Sequence, residues 1–239
     1  MLIWKTMKTV IADCRIDKIC EETLLSKGFD IIKLPPSKNI QAPTASHPDM
    51  LVFIGEGRLF CHQRYYDIAK NEIYKILKIG GLSLCLSEER WDAEYPSDVL
   101  FNAAKIGNRV ICRRKSTSKG ILELYGDRVI DTKQGYAKCS SCIVGDSGII
   151  TADPSIKKAA DNAGLDVLFI ASSCAELHGY DVGFFGGVSG DDGENIYFCG
   201  DLDTHPEHES IKAFCQKHGR GTVSLSKAPL YDYGSLIFI

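Results

Sequence analysis

Five strand-like apolar runs recur along the chain, and each opens just after a short polar junction. Four of the junctions carry an aspartate and the remaining one carries paired serines, so that the openings lie roughly 40 to 50 residues apart. The openings are marked by Asp49, Asp98, Ser140, Asp181 and Asp232. A repeat with this period is typical of an array or a propeller, and it predicts a fold built from similar units.

The segments between the openings predict a ββαβ unit. In the third repeat, a turn at 145–148 precedes a strand at 149–151, and Asp153 is expected to cap a helix that starts near Pro154 and ends at Gly164. A third strand follows that glycine. The fourth and first repeats have the same order of patterns, whereas the second repeat predicts only a short or distorted helix because its helical period is weak.

The fifth repeat is split between the two ends of the chain. The apolar run Ser235 to Ile239 supplies only a first strand, and Val10 to Ala12 supplies the second. Asp13 is expected to cap the helix that follows, and a third strand is expected at Asp30 to Leu34. The predicted buried face of this helix consists of Ile16, Ile19, Cys20, Thr23 and Leu24. Pairing the two terminal strands would close a ring and remove exposed sheet edges.

The predicted fold class is therefore α/β, a five-bladed ββαβ propeller closed by its N- and C-terminal strands. Residues 1–239 are expected to form a single domain. Its repeats are predicted at 47–95, 96–137, 138–178, 179–229, and 230–239 joined with 7–46. Met1 to Thr6 falls outside the pattern and is expected to be a short extension.

Composition restricts the classes of partner and compartment. The net charge is −3 and no basic block is present, which argues against nucleic-acid binding. No apolar stretch approaches the roughly 20 residues that span a bilayer. The ten cysteines fall mostly in predicted strands and helix faces, as expected for buried thiols in the reducing cytoplasm. No cofactor or metal is expected, and the oligomeric state is left open.

Five ββαβ units around a pseudo-fivefold axis resemble the pentein family, the α/β propellers that include arginine deiminase, agmatine deiminase and dimethylarginine hydrolase. The sharpest local match is the segment Ser46 to Gly55, whose His47-Pro48-Asp49 start resembles the family's His-x-Asp segment. The resemblance implies that His47 is a general acid/base and that Asp49 helps to hold a guanidinium group.

The nucleophile departs from the family pattern. Catalytic penteins carry a cysteine in a late repeat, but the final opening here reads Tyr-Asp-Tyr-Gly-Ser and has Ser235 as its nearest hydroxyl. A serine lacks the thiolate that attacks an amidinium carbon readily. Cys142, next to the third opening, is therefore the candidate thiol. His178, in the loop before the fourth opening, is a second candidate proton shuttle.

The aspartates at the openings have two interpretations. Aspartate suits a junction between loop and strand because its carboxylate accepts hydrogen bonds from nearby backbone N–H groups. Alternatively, pseudo-symmetry brings them around one axial cavity, where they would bind a cationic ligand. The predicted substrate-binding set is Asp49, Asp98, Asp181 and Asp232.

Other motifs are also ambiguous. Cys139 and Cys142 could be structural thiols, one catalytic thiol, or a metal or redox pair. His205 and His208 could be ligands, although a solvated helix start is the favoured explanation. The pair Gly186-Gly187 lacks the Lys-Ser/Thr of a phosphate loop.

Two hypotheses about function follow. In the first, the protein is a hydrolase or transferase that acts on an amidine or guanidine at the propeller axis. In the second, it is a non-catalytic pentein that serves as a binding or protein-interaction module. The missing terminal cysteine favours the second hypothesis, and the acidic openings favour a polar small-molecule pocket.

Overall fold

The computed structural model describes residues 8–239, which contain five separate three-stranded sheets. We number these blades in the order of the sequence repeats. The strands are β1 (Thr9–Asp13), β2 (Asp30–Leu34), β3 (Val52–Gly55), β4 (Arg58–His62), β5 (Ser83–Ser87), β6 (Ala104–Ile106), β7 (Arg109–Cys112), β8 (Val129–Asp131), β9 (Cys142–Val144), β10 (Gly148–Thr151), β11 (Asp166–Phe169), β12 (Ser189–Asp191), β13 (Asn195–Phe198), β14 (Gly221–Ser224) and β15 (Ile237–Phe238). Blade 1 is β3-β4-β5, blade 2 is β6-β7-β8, blade 3 is β9-β10-β11, blade 4 is β12-β13-β14, and blade 5 is β15-β1-β2.

All five blades have the same connectivity. The first strand pairs antiparallel with the second, and the second pairs parallel with the third. A parallel pair needs a crossover connection, which a helix supplies in every blade. The helices are α1 (Lys18–Ser26), α2 (Pro48–Leu51), α3 (Gln63–Ile68), α4 (Lys70–Gly80), α5 (Lys119–Tyr125), α6 (Pro154–Asn162) and α7 (His208–Lys217). The single-turn α2 precedes blade 1, and the second blade has the short helix that its sequence predicts.

Blade 5 closes the ring through the chain ends. Strands β15 and β1 pair antiparallel, with Val10 opposite Phe238 and Ile11 opposite Ile237. Thr9 and Ile239 also exchange two backbone hydrogen bonds, of 3.2 and 2.9 Å. The predicted α/β propeller with paired terminal strands is thus confirmed. The extension expected at Met1 to Thr6 lies outside the described residues.

Each crossover helix presents an apolar face to the sheet of the preceding blade. Ile156 and Ala160 of α6, for example, pack with Ile111 of blade 2. Asp153 caps this helix as predicted, because its carboxylate accepts hydrogen bonds from the backbone N–H groups of Ser155 and Ile156. The blades are therefore held together by helix-on-sheet packing around the ring.

The opening strands begin later than the sequence predicts in the second and fourth repeats. Asp98 lies in a turn before β6, and Asp181 lies in a loop before β12. The fourth prediction was wrong because the run after Asp181 pairs with no strand. Instead, Gly183 donates its N–H to the carbonyl of Ala175, and Phe184 donates to Asp232.

The predicted cap of α1 was also wrong. Asp13 ends strand β1, and Asp17 caps the helix by accepting from two backbone N–H groups. Of the predicted buried face, Ile16, Cys20 and Leu24 are buried, whereas Ile19 is 59% exposed. The side chain of Asp13 is instead fully buried, and its carboxylate faces His47.

The five first strands surround a common cavity. Because their hairpins all point the same way, the polar junctions lie at one end of the ring and the hairpin turns lie at the other. None of the helices within residues 8–239 is both long and apolar enough to cross a lipid bilayer.

Candidate functional site

The axial cavity has a volume of about 330 Å³. Residues from all five first strands line it, together with glycines of the hairpin turns and two charged side chains at its inner end. The lining from the first strands is Val52, Phe53, Ile54, Lys105, Ile143, Ser189, Gly190, Asp191, Ile237 and Phe238. Asp49 and Lys138 precede their strands and so lie at the end opposite the turns. The cavity is thus an apolar tube with a charged inner end.

The mouth of the cavity carries its own charges. Arg220 donates from Nε to both carboxylate oxygens of Asp191, at 2.9 and 3.0 Å. Asp191 also accepts hydrogen bonds from the backbone N–H groups of Gly145 and Gly193. The charges of Arg220 and Asp191 therefore offset each other. The exposed Lys105, in contrast, makes no hydrogen bond or ion pair with another residue of 8–239.

At the inner end, Asp49 and Lys138 are joined through a hydroxyl group. The ammonium Nζ of Lys138 donates to Ser235 Oγ at 2.9 Å, and Ser235 Oγ donates to Asp49 Oδ2 at 2.7 Å. The carbonyl of Gly186, 3.0 Å away, is an alternative acceptor for the serine. Ser235 is buried and has a positive φ of 70°, which is uncommon for a residue with a side chain. Backbone strain of this kind clusters at functional sites.

His47 lies between two further carboxylates. Its Nδ1 is 3.8 Å from Asp232 Oδ1 and its Nε2 is 3.9 Å from Asp13 Oδ2, and all three side chains are buried. These distances are too long for hydrogen bonds, and Nδ1 has no hydrogen-bond partner. Asp13 is satisfied by Arg15 and by Ser46 Oγ.

Asp232 is fixed by backbone groups. Its two oxygens accept hydrogen bonds from the N–H groups of Gly234 and Phe184, at 2.9 and 2.8 Å. Burial raises the pKa of this carboxyl, and the nearby Asp49 adds to the effect, while His47 opposes it. The segment that carries Phe184 lies across the junction end of the ring. A methyl group at Gly187 would be only 1.9 Å from Asp232 Oδ1, so this approach requires glycine.

Cys139 is the thiol that contacts the site. Its Sγ donates to Asp49 Oδ1 at 3.2 Å and accepts from Asn102 Nδ2 at 2.9 Å. Burial raises the pKa of this thiol well above its usual value, and the negative charges of Asp49 and Asp232 raise it further. The group is therefore a neutral hydrogen-bond donor at neutral pH.

Cys142, the candidate nucleophile, lies fully buried in β9. Burial raises its pKa to about 11. The expected accessible thiol at the third opening therefore does not occur, because Cys142 packs in the core with Phe185 and Cys215. No hydrogen bond joins it to His47 or Asp49 among the described residues.

The other predicted residues are distributed unevenly. Of the four aspartates, the structure brings Asp49 and Asp232 near each other, and Asp232 also faces His47. Asp98 is buried and accepts a 2.5 Å hydrogen bond from the Tyr136 hydroxyl, but its other oxygen has no partner. His178 and Asp181 are exposed on the loop that precedes β12, since the strand starts later than predicted. That expectation of convergence is wrong for these two residues.

The remaining motifs have structural roles. His205 contacts the carbonyl of Ser172 through Nε2 and accepts from the N–H of Glu207 through Nδ1, while His208 contacts the carbonyl of His205. Within residues 8–239, no three His, Cys, Asp or Glu side chains are placed to hold a metal ion.

Sequence reasoning missed Lys138 and misassigned Asp13. Lys138 lies in the junction upstream of β9, and Asp49 lies in the junction upstream of β3, although their offsets from the strands differ. A charged residue at a junction was the available signal. Asp13 resembled a helix cap, and only its contacts with Arg15 and Ser46 reveal that it belongs to the interior.

The arrangement defines a class: a pentein-fold protein with a polar site on its axis. Solved structures share the fold at low sequence identity. Dimethylarginine dimethylaminohydrolase (DDAH) from Pseudomonas aeruginosa in complex with citrulline is 8% identical over 92% of both chains, with a TM-score of 0.54. A dimethylarginine dimethylaminohydrolase adduct with 4-chloro-2-hydroxymethylpyridine is 9% identical over 92% of this chain and 93% of that one, with a TM-score of 0.53.

A third similar structure is an amidinotransferase from the saxitoxin pathway of Microseira wollei. It is 10% identical over 92% of this chain and 88% of its own, with a TM-score of 0.53. A search of curated protein sequences finds no match. The chain belongs to a family of unknown function, DUF6873, whose model matches residues 11–237.

Proposed function

We propose that the protein binds a small polar molecule in its axial cavity, between the Asp49–Ser235–Lys138 group and the hairpin turns. The observation that carries the proposal is the cavity itself, which all five blades line and which has charged groups at its inner end. Its volume of about 330 Å³ is within the usual range for small-molecule sites. Apolar walls with a few convergent polar groups are also typical of such sites.

The charges at the inner end favour a ligand that accepts hydrogen bonds. Lys138 uses one donor on Ser235, which leaves two N–H groups of its ammonium for a ligand. Asp232 is already occupied by backbone N–H groups, and Asp13 by Arg15. A ring of free carboxylates around a cationic ligand, as the sequence suggested, is therefore not part of the proposal.

An amidine- or guanidine-bearing ligand is the second candidate. The carboxylate of Asp49 lines the cavity and favours it, and the solved structures with this fold include enzymes for such groups. Thiol catalysis is not included, because Cys139 and Cys142 are buried and their pKa values are raised. If Asp49 binds such a ligand and no thiol attacks it, the protein would be the non-catalytic binding module that the sequence also allowed.

The test is a ligand screen by thermal unfolding, followed by calorimetric titration of the hits. The panel contains small carboxylates, aldehydes and ketones, amides, and guanidines. We expect at least one class to raise the melting temperature, because a ligand at 100 times its Kd stabilises the native state by about 2.7 kcal/mol.

Ile143→Trp should abolish the shift by filling the tube, and Lys138→Met should abolish it for anionic or carbonyl ligands. The matched control is Ile19→Trp on the exposed face of α1, which should bind normally. Failure of every class to bind, or equal binding by Ile143→Trp and the wild type, would contradict the proposal.

A further inference from the structure

Lys138 has an unusual environment for a lysine. Its side chain is half-buried and lines the axial cavity together with Ile143 and Leu236. Among residues 8–239, it forms no ion pair with a carboxylate, and its one side-chain hydrogen bond goes to Ser235 Oγ. A lysine that only neutralised Asp49 would be expected to contact that carboxylate directly.

The backbone of Lys138 is held in place. Its N–H donates to Asn102 Oδ1 at 2.7 Å, and its carbonyl accepts from the N–H of Ser141 at 3.0 Å. Asn102 is fully buried and also binds the N–H of Cys139. The amine is thus presented to the cavity from a fixed backbone, as a reactive group requires.

The hydroxyl of Ser235 connects this amine to a base. It accepts from Lys138 Nζ at 2.9 Å and donates to Asp49 Oδ2 at 2.7 Å, so a continuous hydrogen-bonded chain runs from the ammonium to the carboxylate. Cys139 Sγ donates to the other oxygen of Asp49 at 3.2 Å and fixes its orientation. The amine and a potential base are therefore the two ends of one hydrogen-bonded chain.

We propose that Lys138 forms an imine with a small aldehyde or ketone bound in the axial cavity, with Ser235 and Asp49 as its proton relay. The inference rests on the proposed small-molecule site and specifies its ligand class. Lysine amines are established nucleophiles towards carbonyl carbons when they can lose their proton.

The step balances without any further reactant. The proton of the Lys138 ammonium passes through Ser235 to Asp49, and the nitrogen lone pair forms a C–N bond as the C=O π bond breaks. A proton from nitrogen reaches the carbonyl oxygen to give the carbinolamine. Asp49 then returns its proton through Ser235 to that oxygen, which leaves as water while the protonated C=N bond forms. The apolar wall limits water, which would reverse the step.

The test is reductive trapping of the protein of residues 1–239. Pyruvate, as an anionic ketone, and butanal, as an uncharged aldehyde, are incubated separately with the protein and borohydride is added. Intact mass and peptide mapping then locate the adduct. We expect one adduct per chain at Lys138, formed at least roughly tenfold faster than at other lysines.

Three variants sharpen the result. Lys138→Met should lose the adduct, and Lys75→Met, on the exposed face of α4 outside the cavity, should keep it. Ser235→Gly removes the relay hydroxyl and suits the positive φ, so it should fold and trap roughly tenfold or more slowly. Its rate should recover at high pH, where the amine loses its proton to solvent.

The outcomes separate the two proposals. Uniform labelling of lysines, or unchanged trapping in Ser235→Gly, would overturn the imine inference. Absence of an adduct combined with ligand-induced stabilisation that Ile143→Trp abolishes would overturn the imine and leave the binding site intact. Absence of both would overturn the proposed function as well.

Discussion

Asp98 is a buried carboxyl with one unpaired oxygen, and this should affect stability in a pH-dependent way. Burial raises its pKa, although the hydrogen bond from Tyr136 opposes the shift. A carboxyl whose pKa is raised on folding stabilises the native state below the unfolded value of about 3.9. That contribution is lost as the pH rises through the folded pKa.

The change that tests this is Asp98→Asn, which removes the titration and keeps an oxygen for the Tyr136 hydroxyl. We expect the fall in the free energy of unfolding between about pH 4 and neutral pH to be smaller in the variant. Asp232, whose pKa is also raised, titrates in both proteins. Urea unfolding across this pH range measures the difference, and parallel curves would show that Asp98 does not titrate as described.

Glycines at the fourth junction show what the sequence could not reveal at this scale. In the sequence, the Gly186-Gly187 pair resembles only part of a phosphate loop, because no Lys-Ser/Thr follows it. In the fold, a Cβ at Gly186 would lie 2.3 Å from the carbonyl oxygen of Lys138, and Gly187 lies against Asp232. These close approaches involve residues far apart in sequence, so no local pattern encodes them.

At the scale of secondary-structure elements, the N-terminal cap of α6 should contribute measurably to the free energy of unfolding. Asp153→Ala should lower the free energy of unfolding by about 1 to 2 kcal/mol, because two backbone N–H groups lose their acceptor. The matched control is Asp161→Ala on the same helix, whose ion pair with Lys157 is partly exposed and should cost at most about 0.5 kcal/mol. Equal losses in urea unfolding would contradict the capping role.

Elements with strong local signals were predicted well. Strand β2 spans Asp30–Leu34 as expected, and α6 starts at Pro154 after its aspartate cap. The fourth opening failed because an apolar run after Asp181 satisfied the strand pattern but found its hydrogen bonds in a loop. The α1 cap failed because Asp13 and Asp17 both precede the helix, and the choice depends on Arg15 and Ser46.

At the scale of the whole molecule, the ring closes where β15 pairs antiparallel with β1. Joining Ile239 to Met1 and opening the chain between Glu56 and Gly57, in the exposed hairpin of blade 1, should give a folded circular permutant. We expect its free energy of unfolding to lie within about 1 kcal/mol of the wild type. Circular dichroism and urea unfolding measure this.

The control permutant opens between Phe60 and Cys61, inside β4, and should not fold, because the break interrupts a buried strand. If the first permutant failed to fold, or unfolded with a much lower free energy than the wild type, the pairing of β15 with β1 would not close the ring as described.

The period of the repeat predicted this closure, since the two terminal apolar runs together make one unit. It could not predict which junction residues converge, because that depends on how far each loop runs before its strand begins.

The most direct test of the account is a crystal structure of the protein soaked with a library of small polar fragments. We predict density for bound fragments in the axial cavity, in contact with Lys138 or Asp49 and reached from the hairpin-turn end. A cavity that stays empty across the library, with fragments bound only elsewhere on the surface, would contradict the assignment of the axis as the functional site.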